Sequence, residues 1–112
     1  MRHLRWLLGL GSCLIVVGLI VVVTGIAQEP GALADKGERV FMAQGCYGCH
    51  IVGRMGTPIG PDLTRVGAKY PRAYLAGWLR DPQAQRPNAH MPRLELSSEE
   101  IEALTAFLAT RR

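Results

Sequence analysis

The 112-residue chain is poor in cysteine and in aromatic side chains, with three cysteines, two tryptophans, three tyrosines and two phenylalanines. It contains no internal repeat, and residues 52–70 show no alternation of apolar and polar positions that would predict a strand. No basic stripe is interleaved with aromatic residues, so nothing in the sequence indicates a nucleic-acid partner. A chain of this length has room for one small domain.

Charge and proline are both absent from residues 6–28. As a helix, the largely apolar residues 6–27 would span roughly 33 Å, which matches the hydrocarbon core of a bilayer. The sequence therefore predicts a single N-terminal transmembrane anchor at residues 1–27. A cleaved secretory signal is the alternative, since Gly25 and Ala27 are small residues at plausible cleavage positions, but the apolar part of a signal usually has about 7 to 15 residues.

The charges that flank this apolar run predict its orientation. Arg2 and Arg5 precede it, whereas residues 28–41 carry three acidic and two basic side chains. Because the positive flank stays in the cytoplasm, we expect the C-terminal part on the periplasmic or outer side of a bacterial cytoplasmic membrane. The predicted anchor also carries a glycine at every seventh position, namely Gly11, Gly18 and Gly25. This stripe either admits a neighbouring membrane helix or reflects the general frequency of glycine in such helices.

Residues 28–34 are predicted to be a short linker, because they contain a Pro-Gly pair, and residues 35–112 to be the folded domain. Asp35 is expected to cap a first helix that ends at Gly45. Further helical signals follow, so the domain is predicted to be all-α.

Pro71 is expected to open a short helix that stops at Pro82, and Ser97 with Glu100 forms a capping box for a closing amphipathic helix. Three modest helices joined by long loops bury little apolar surface. The domain therefore needs a large apolar group in its interior.

The stretch GCYGCH provides a way to hold such a group. Cys46, Cys49 and His50 form a CxxCH motif, the attachment sequence of c-type haem, in which each thiol forms a thioether with a vinyl group and the adjacent imidazole ligates the iron. A thioredoxin-like pair would need a βαβ context, and a disulfide across two residues would not explain the histidine. A zinc site needs four ligands, and the motif leaves only His3, Cys13 and His90. We expect one covalently bound haem c.

The second axial position of the iron has three downstream candidates. Met91 is preferred, because it follows His50 at a distance that leaves enough chain to wall a pocket. Met55 lies only five residues after His50, a reach of at most roughly 17 Å. His90 is the stand-in ligand. Methionine at this position favours the ferrous state.

Several motifs together resemble the class I c-type cytochromes, namely CxxCH near the start, GPDL some ten residues later, MP near the end and a closing amphipathic helix. The run from Gly60 to Pro92 is more closely similar to membrane-anchored mono-haem cytochrome subunits of haem-copper terminal oxidases, although those subunits carry more chain between anchor and haem motif. The resemblance implies a class I cytochrome c fold, about three helices around one haem, in which Gly37 and Phe41 cross the closing helix near Phe107. It also implies haem-contacting roles for Pro61, whose carbonyl would accept from the His50 Nδ1 hydrogen, and for Leu63, Tyr74 and Trp78.

Residues 51–94 carry seven basic and two acidic side chains, so the positive charge lies in the loops expected around the haem. Two of the cations, among Arg54, Arg65 and Lys69, are expected to bind the haem carboxylates. The remainder could steer an acidic electron-transfer partner.

The sequence thus predicts a membrane-tethered carrier of single electrons, not an enzyme by itself, that belongs to a respiratory or related redox complex with other membrane subunits and with donor and acceptor proteins. Two alternatives stay open. One is a haem sensor or peroxidase-like domain with a labile sixth ligand, and the other is a thiol redox protein without haem.

Overall fold

The computed structural model describes residues 29–112. Five α-helices, a 3-10 turn and a two-stranded hairpin follow one another in the order α1 Pro30–Ala43, 3-10 turn Cys46–Gly48, β1 Ile51–Val52, β2 Met55–Gly56, α2 Val66–Lys69, α3 Arg72–Arg80, α4 Pro82–Gln85 and α5 Ser98–Ala109. The all-α fold is confirmed for this part of the chain. The predicted anchor and its glycine stripe lie outside the described residues, and within residues 29–112 no helix is both long and apolar enough to cross a membrane.

Helix α1 begins earlier than the sequence predicts. Its first residue is Pro30, with Glu29 as the N-cap, so the predicted start at Asp35 is wrong and residues 30–34 of the expected linker are helical. Proline at the first helical position is compatible with a helix, because its missing N–H would have no intrahelical partner there and its φ is already suitable. The Pro-Gly pair therefore forms the first two residues of the helix.

The core of the domain lies where α1 crosses α5. Gly37 approaches α5 so closely that a Cβ atom at this position would lie 1.9 Å from the carbonyl oxygen of Ala103. One turn later Phe41 packs against Phe107, with ring centroids 5.4 Å apart. The expected crossing near Phe107 is confirmed. The other large buried side chains of this core are Val52, Val66, Leu75, Leu79, Ile101, Leu104 and Leu108.

Helix α5 starts with the predicted capping box. The backbone N–H of Glu100 donates to Ser97 Oγ at 3.1 Å, and the backbone N–H of Ser97 donates to Glu100 Oε2 at 2.8 Å. These bonds satisfy N–H groups that have no partner within the helix. The bond from the Ser97 backbone also lowers the pKa of the Glu100 carboxyl. On the same exposed edge Lys36 of α1 forms an ion pair with Glu99.

Helix α3 occupies the predicted region, with Pro71 as its N-cap and Arg80 as its last residue. Pro82 does more than end it, because it begins the short helix α4, whose N-cap Asp81 accepts a hydrogen bond from the backbone N–H of Ala84 at 3.2 Å. The hairpin β1–β2 and helix α2 were not predicted. The hairpin has two residues per strand, too few for any alternation to be visible in the sequence.

We predict that Gly37→Ala destabilises the domain by about 1 to 3 kcal/mol, because the new methyl group would overlap the backbone of α5, which cannot rotate out of the way. Denaturant unfolding of the haem-loaded protein measures the change. Gly31→Ala in the same helix is the matched control, since a Cβ atom there meets nothing within 4 Å and alanine favours the helix. Equal unfolding midpoints for the two variants would contradict the close crossing.

Candidate haem site

The CxxCH motif begins directly after α1 and is folded by its own backbone. Gly45 ends α1 in the left-handed conformation, with φ of +74°, and the 3-10 turn Cys46–Gly48 follows. The carbonyl oxygen of Cys46 accepts the N–H of Cys49 at 3.1 Å and the N–H of His50 at 2.9 Å. Cys46 and Cys49 are not joined by a disulfide. One compact turn therefore carries two sulfur atoms and an imidazole.

The His50 ring is oriented by the loop that follows the hairpin. Its Nδ1 lies 2.7 Å from the carbonyl oxygen of Pro61. Since a carbonyl can only accept, Nδ1 carries the hydrogen, and Nε2 keeps a lone pair that can bind a metal. Gly60 packs against the same ring, and a Cβ atom there would lie 2.7 Å from His50 Cε1. The N–H of Gly60 also donates to the Cys49 carbonyl at 2.6 Å, which ties this loop to the motif.

A second set of predicted site residues meets on α3 and on the segment after α4. The indole Nε1 of Trp78 donates to Met91 Sδ at 3.1 Å, and Met91 is half-buried against the core. Tyr74 stacks on Trp78, with ring centroids 6.2 Å apart, and Tyr70 stacks on Tyr74 at 4.5 Å. Leu63 is half-buried against the same core. The hydrogen bond from Trp78 to the Met91 sulfur could not be predicted from the sequence, because the two residues are 13 positions apart in the chain.

The other two candidates for the second axial ligand lie in different surroundings. Met55 is 56% exposed on β2, and His90 is exposed beside Met91. Neither packs against the apolar core, as Met91 does. A soft thioether in a half-buried, hydrogen-bonded position is the arrangement expected of an iron ligand that must stay in place.

The environment of Cys46 differs from that of a reactive redox thiol. Burial raises the pKa of the Cys46 thiol, and the neighbouring Cys49 raises it further, against one backbone hydrogen bond that acts in the opposite direction. Thiols that attack disulfides usually have a lowered pKa.

Within residues 29–112, no group of three or more His, Cys, Asp or Glu side chains is placed to hold a metal ion.

The three cations expected to bind haem carboxylates, Arg54, Arg65 and Lys69, are exposed. Within residues 29–112 the one ion pair joins Lys36 to Glu99, so none of these three cations forms an ion pair with a carboxylate of the described chain.

A cleft lies between the end of α3 and the segment before α5, and its lining includes none of the predicted haem-contacting residues. It is lined by Arg80, Arg93, Leu94, Glu95, Leu96 and Ile101.

The sequence model of the family Cytochrome c matches residues 34–112. The chain belongs to the cytochrome c family. This membership explains why two cysteines and an oriented imidazole occur together in one compact turn. Proteins of this family bind haem c covalently, and this chain carries one haem c. The donor set fits that group, since two thiols are available for its vinyl groups and His50 Nε2 is available for its iron.

The chain is also similar to cytochrome c oxidase subunit 2 of Alkalihalophilus pseudofirmus, with 39% identity over 91 residues. The match covers 72% of this chain and 27% of the relative, so the chain spans about a quarter of the relative's length. The similarity supports the resemblance to oxidase subunits that the sequence indicates.

We predict that Gly60→Ala raises the reduction potential of the haem. The added methyl group would displace the His50 ring from the Pro61 carbonyl, and an imidazole without that bond is a weaker donor to the iron, which destabilises the ferric state. Potentiometric titration followed by the visible spectrum measures it. Gly31→Ala is the control, because Gly31 lies on α1 outside the CxxCH turn and a Cβ atom there meets nothing within 4 Å. If Gly60→Ala and the control had the same potential, the loop would not orient the ring.

Proposed function

We propose that the protein is a membrane-tethered c-type cytochrome that carries single electrons as a subunit of a respiratory or related redox complex, with its haem domain on the outer side of a bacterial cytoplasmic membrane. Electron transfer by the domain follows from its family. The observation that carries the proposal is the pair of oriented donors, since His50 is held by the Pro61 carbonyl and Met91 by the Trp78 indole.

In this proposal each side chain of the site has one task. Cys46 and Cys49 would hold the haem through thioether bonds, and His50 Nε2 and Met91 Sδ would bind its iron. The haem supplies an iron that accepts and releases one electron. Pro61 keeps the hydrogen of His50 on Nδ1, and Trp78 donates to one lone pair of the Met91 sulfur, which leaves the other lone pair available to a metal. With His50 and Met91 both bound to the iron, small ligands would be excluded.

The start of α1 supports the tether and its short reach. The apolar run ends at residue 27 and α1 begins at Pro30, so two residues separate them in the sequence. A connection of two residues spans at most roughly 7 Å when extended. The haem domain is therefore proposed to sit directly at the membrane surface, as a fixed subunit and not as a free shuttle. The similarity to an oxidase subunit 2 supports a partner complex of that class.

We predict that Met91→Ala lowers the reduction potential, abolishes the weak red sulfur-to-iron band of the ferric protein, and allows carbon monoxide to bind the ferrous protein. Absorption spectroscopy and redox titration measure all three. Met42→Ala is the control, because this methionine is 53% exposed on α1 and outside the site.

An unchanged band in Met91→Ala would move the second ligand to His90 or Met55, and parallel variants of those residues would identify it. A band already absent from the unmodified protein, with ready binding of carbon monoxide, would instead favour the sensor or peroxidase-like alternative. Unalkylated Cys46 and Cys49 in the intact mass would indicate the thiol redox protein.

We predict that a protein lacking residues 1–27, exported with a cleavable signal, is a soluble cytochrome with the spectrum of the full chain. It should fail to co-purify with the membrane proteins that the full chain retains in mild detergent, because the tether holds it at its partners. Continued co-purification of the shortened chain would show that the apolar segment is not needed for assembly.

A further inference from the structure

The segment that carries Met91 has little backbone structure of its own. Between α4 and Pro92, the described backbone hydrogen bonds are the N–H of Arg86 to the carbonyl of Pro82, which ends α4, and the N–H of Ala89 to the carbonyl of Arg86 at 2.9 Å. A segment with so few bonds opens easily unless side chains hold it. A methionine ligand on this segment therefore needs support from elsewhere in the fold.

Gln83 supplies two hydrogen bonds to this segment. Its side-chain Nε2 donates to the carbonyl oxygen of Ala89 at 3.0 Å and to the carbonyl oxygen of Met91 at 2.9 Å. An amide nitrogen has two hydrogens, so both bonds form at once. Because both partners are carbonyls, only the nitrogen of the amide can satisfy them, and this decides the orientation of the group.

The anchor point of Gln83 is itself fixed. Asp81 caps α4, Pro82 is buried at its start, and Gln83 follows directly. The bonds of Gln83 thus link a firmly held helix start to the backbone at Met91. The side chain of Met91 is also held, because the Trp78 indole donates to its sulfur at 3.1 Å. Met91 is held at its backbone by one side chain and at its sulfur by another.

We propose that Gln83 is a positioning residue for Met91: its amide fixes the carbonyls of Ala89 and Met91, so that the methionine sulfur, and not the adjacent His90, is presented to the haem iron. The inference rests on the proposed function, in which Met91 is the second axial ligand. The two competing ligands, His90 and Met91, are adjacent in the chain. The orientation of the backbone at Met91 therefore decides which of the two side chains faces the iron. Gln83 sets that orientation through the Met91 carbonyl.

The test uses three variants of the full-length, haem-loaded protein. Gln83→Leu keeps most of the volume without any donor, and Gln83→Glu keeps the shape but places acceptor oxygens against the two carbonyls. Gln85→Leu is the matched control on the same helix, since the Gln85 amide contacts the Gly77 position instead. The readouts are the sulfur-to-iron band of the ferric protein and the apparent affinity of the ferric protein for added imidazole.

We expect both Gln83 variants to weaken the band and to bind imidazole about tenfold more tightly, because the loss of two hydrogen bonds raises the population in which Met91 is dissociated. Gln85→Leu should match the unmodified protein. If the role of Gln83 were only to pack, Gln83→Glu would keep the band, and that result would overturn the inference. The inference would also be overturned if the unmodified protein had the band and the Gln83 variants matched Gln85→Leu in band intensity and imidazole affinity. That result would leave the proposed ligands intact. Absence of the band from the unmodified protein would overturn the ligand assignment first.

Discussion

The contact of Gly37 with the backbone of α5 is the constraint on which the arrangement of this domain depends. Because no side chain separates the two helices there, α1 and α5 approach closely enough for Phe41 and Phe107 to pack as one unit. Helix α1 ends at Ala43, and the CxxCH turn begins three residues later at Cys46. A shift of this one contact would therefore move both cysteines and His50 relative to the rest of the fold.

Helix α5 also contacts α3, and Trp78 of α3 donates to the Met91 sulfur. The helix that precedes the CxxCH turn and the helix that carries Trp78 thus both pack against the same closing helix. The buried core of nine apolar side chains joins these helices to the hairpin and to α2.

Much of this arrangement could be predicted from the sequence, and the exceptions have physical reasons. The capping box at Ser97 and the helix after Pro71 were predicted correctly, because both are marked by residues with strong local preferences. The start of α1 was missed, because a Pro-Gly pair is compatible both with a helix start and with a linker. The hairpin was missed because two residues per strand leave no period to detect.

The same distinction holds within the site. The CxxCH motif is local, so its chemistry could be recognised from spacing alone, and its family membership follows from the match over residues 34–112. The bonds from Trp78 to the Met91 sulfur and from Gln83 to the Met91 carbonyl join segments whose approach depends on the tertiary fold. No local preference of tryptophan or glutamine predicts such a partner, so only the structure shows these contacts.

In the proposed ligand set, His50 and Met91 are consequently held in unequal ways. His50 is held by bonds to Cys46 and Pro61, which lie at most 11 residues away, and by the covalent bonds of its neighbouring cysteines to haem. Met91 is held by side chains of two other helices, and its own segment adds almost no backbone bonds. Local opening of the domain should therefore release the methionine long before the histidine. If Met91 binds the iron as proposed, the few hydrogen bonds that hold Met91 decide whether the domain stays closed to small ligands.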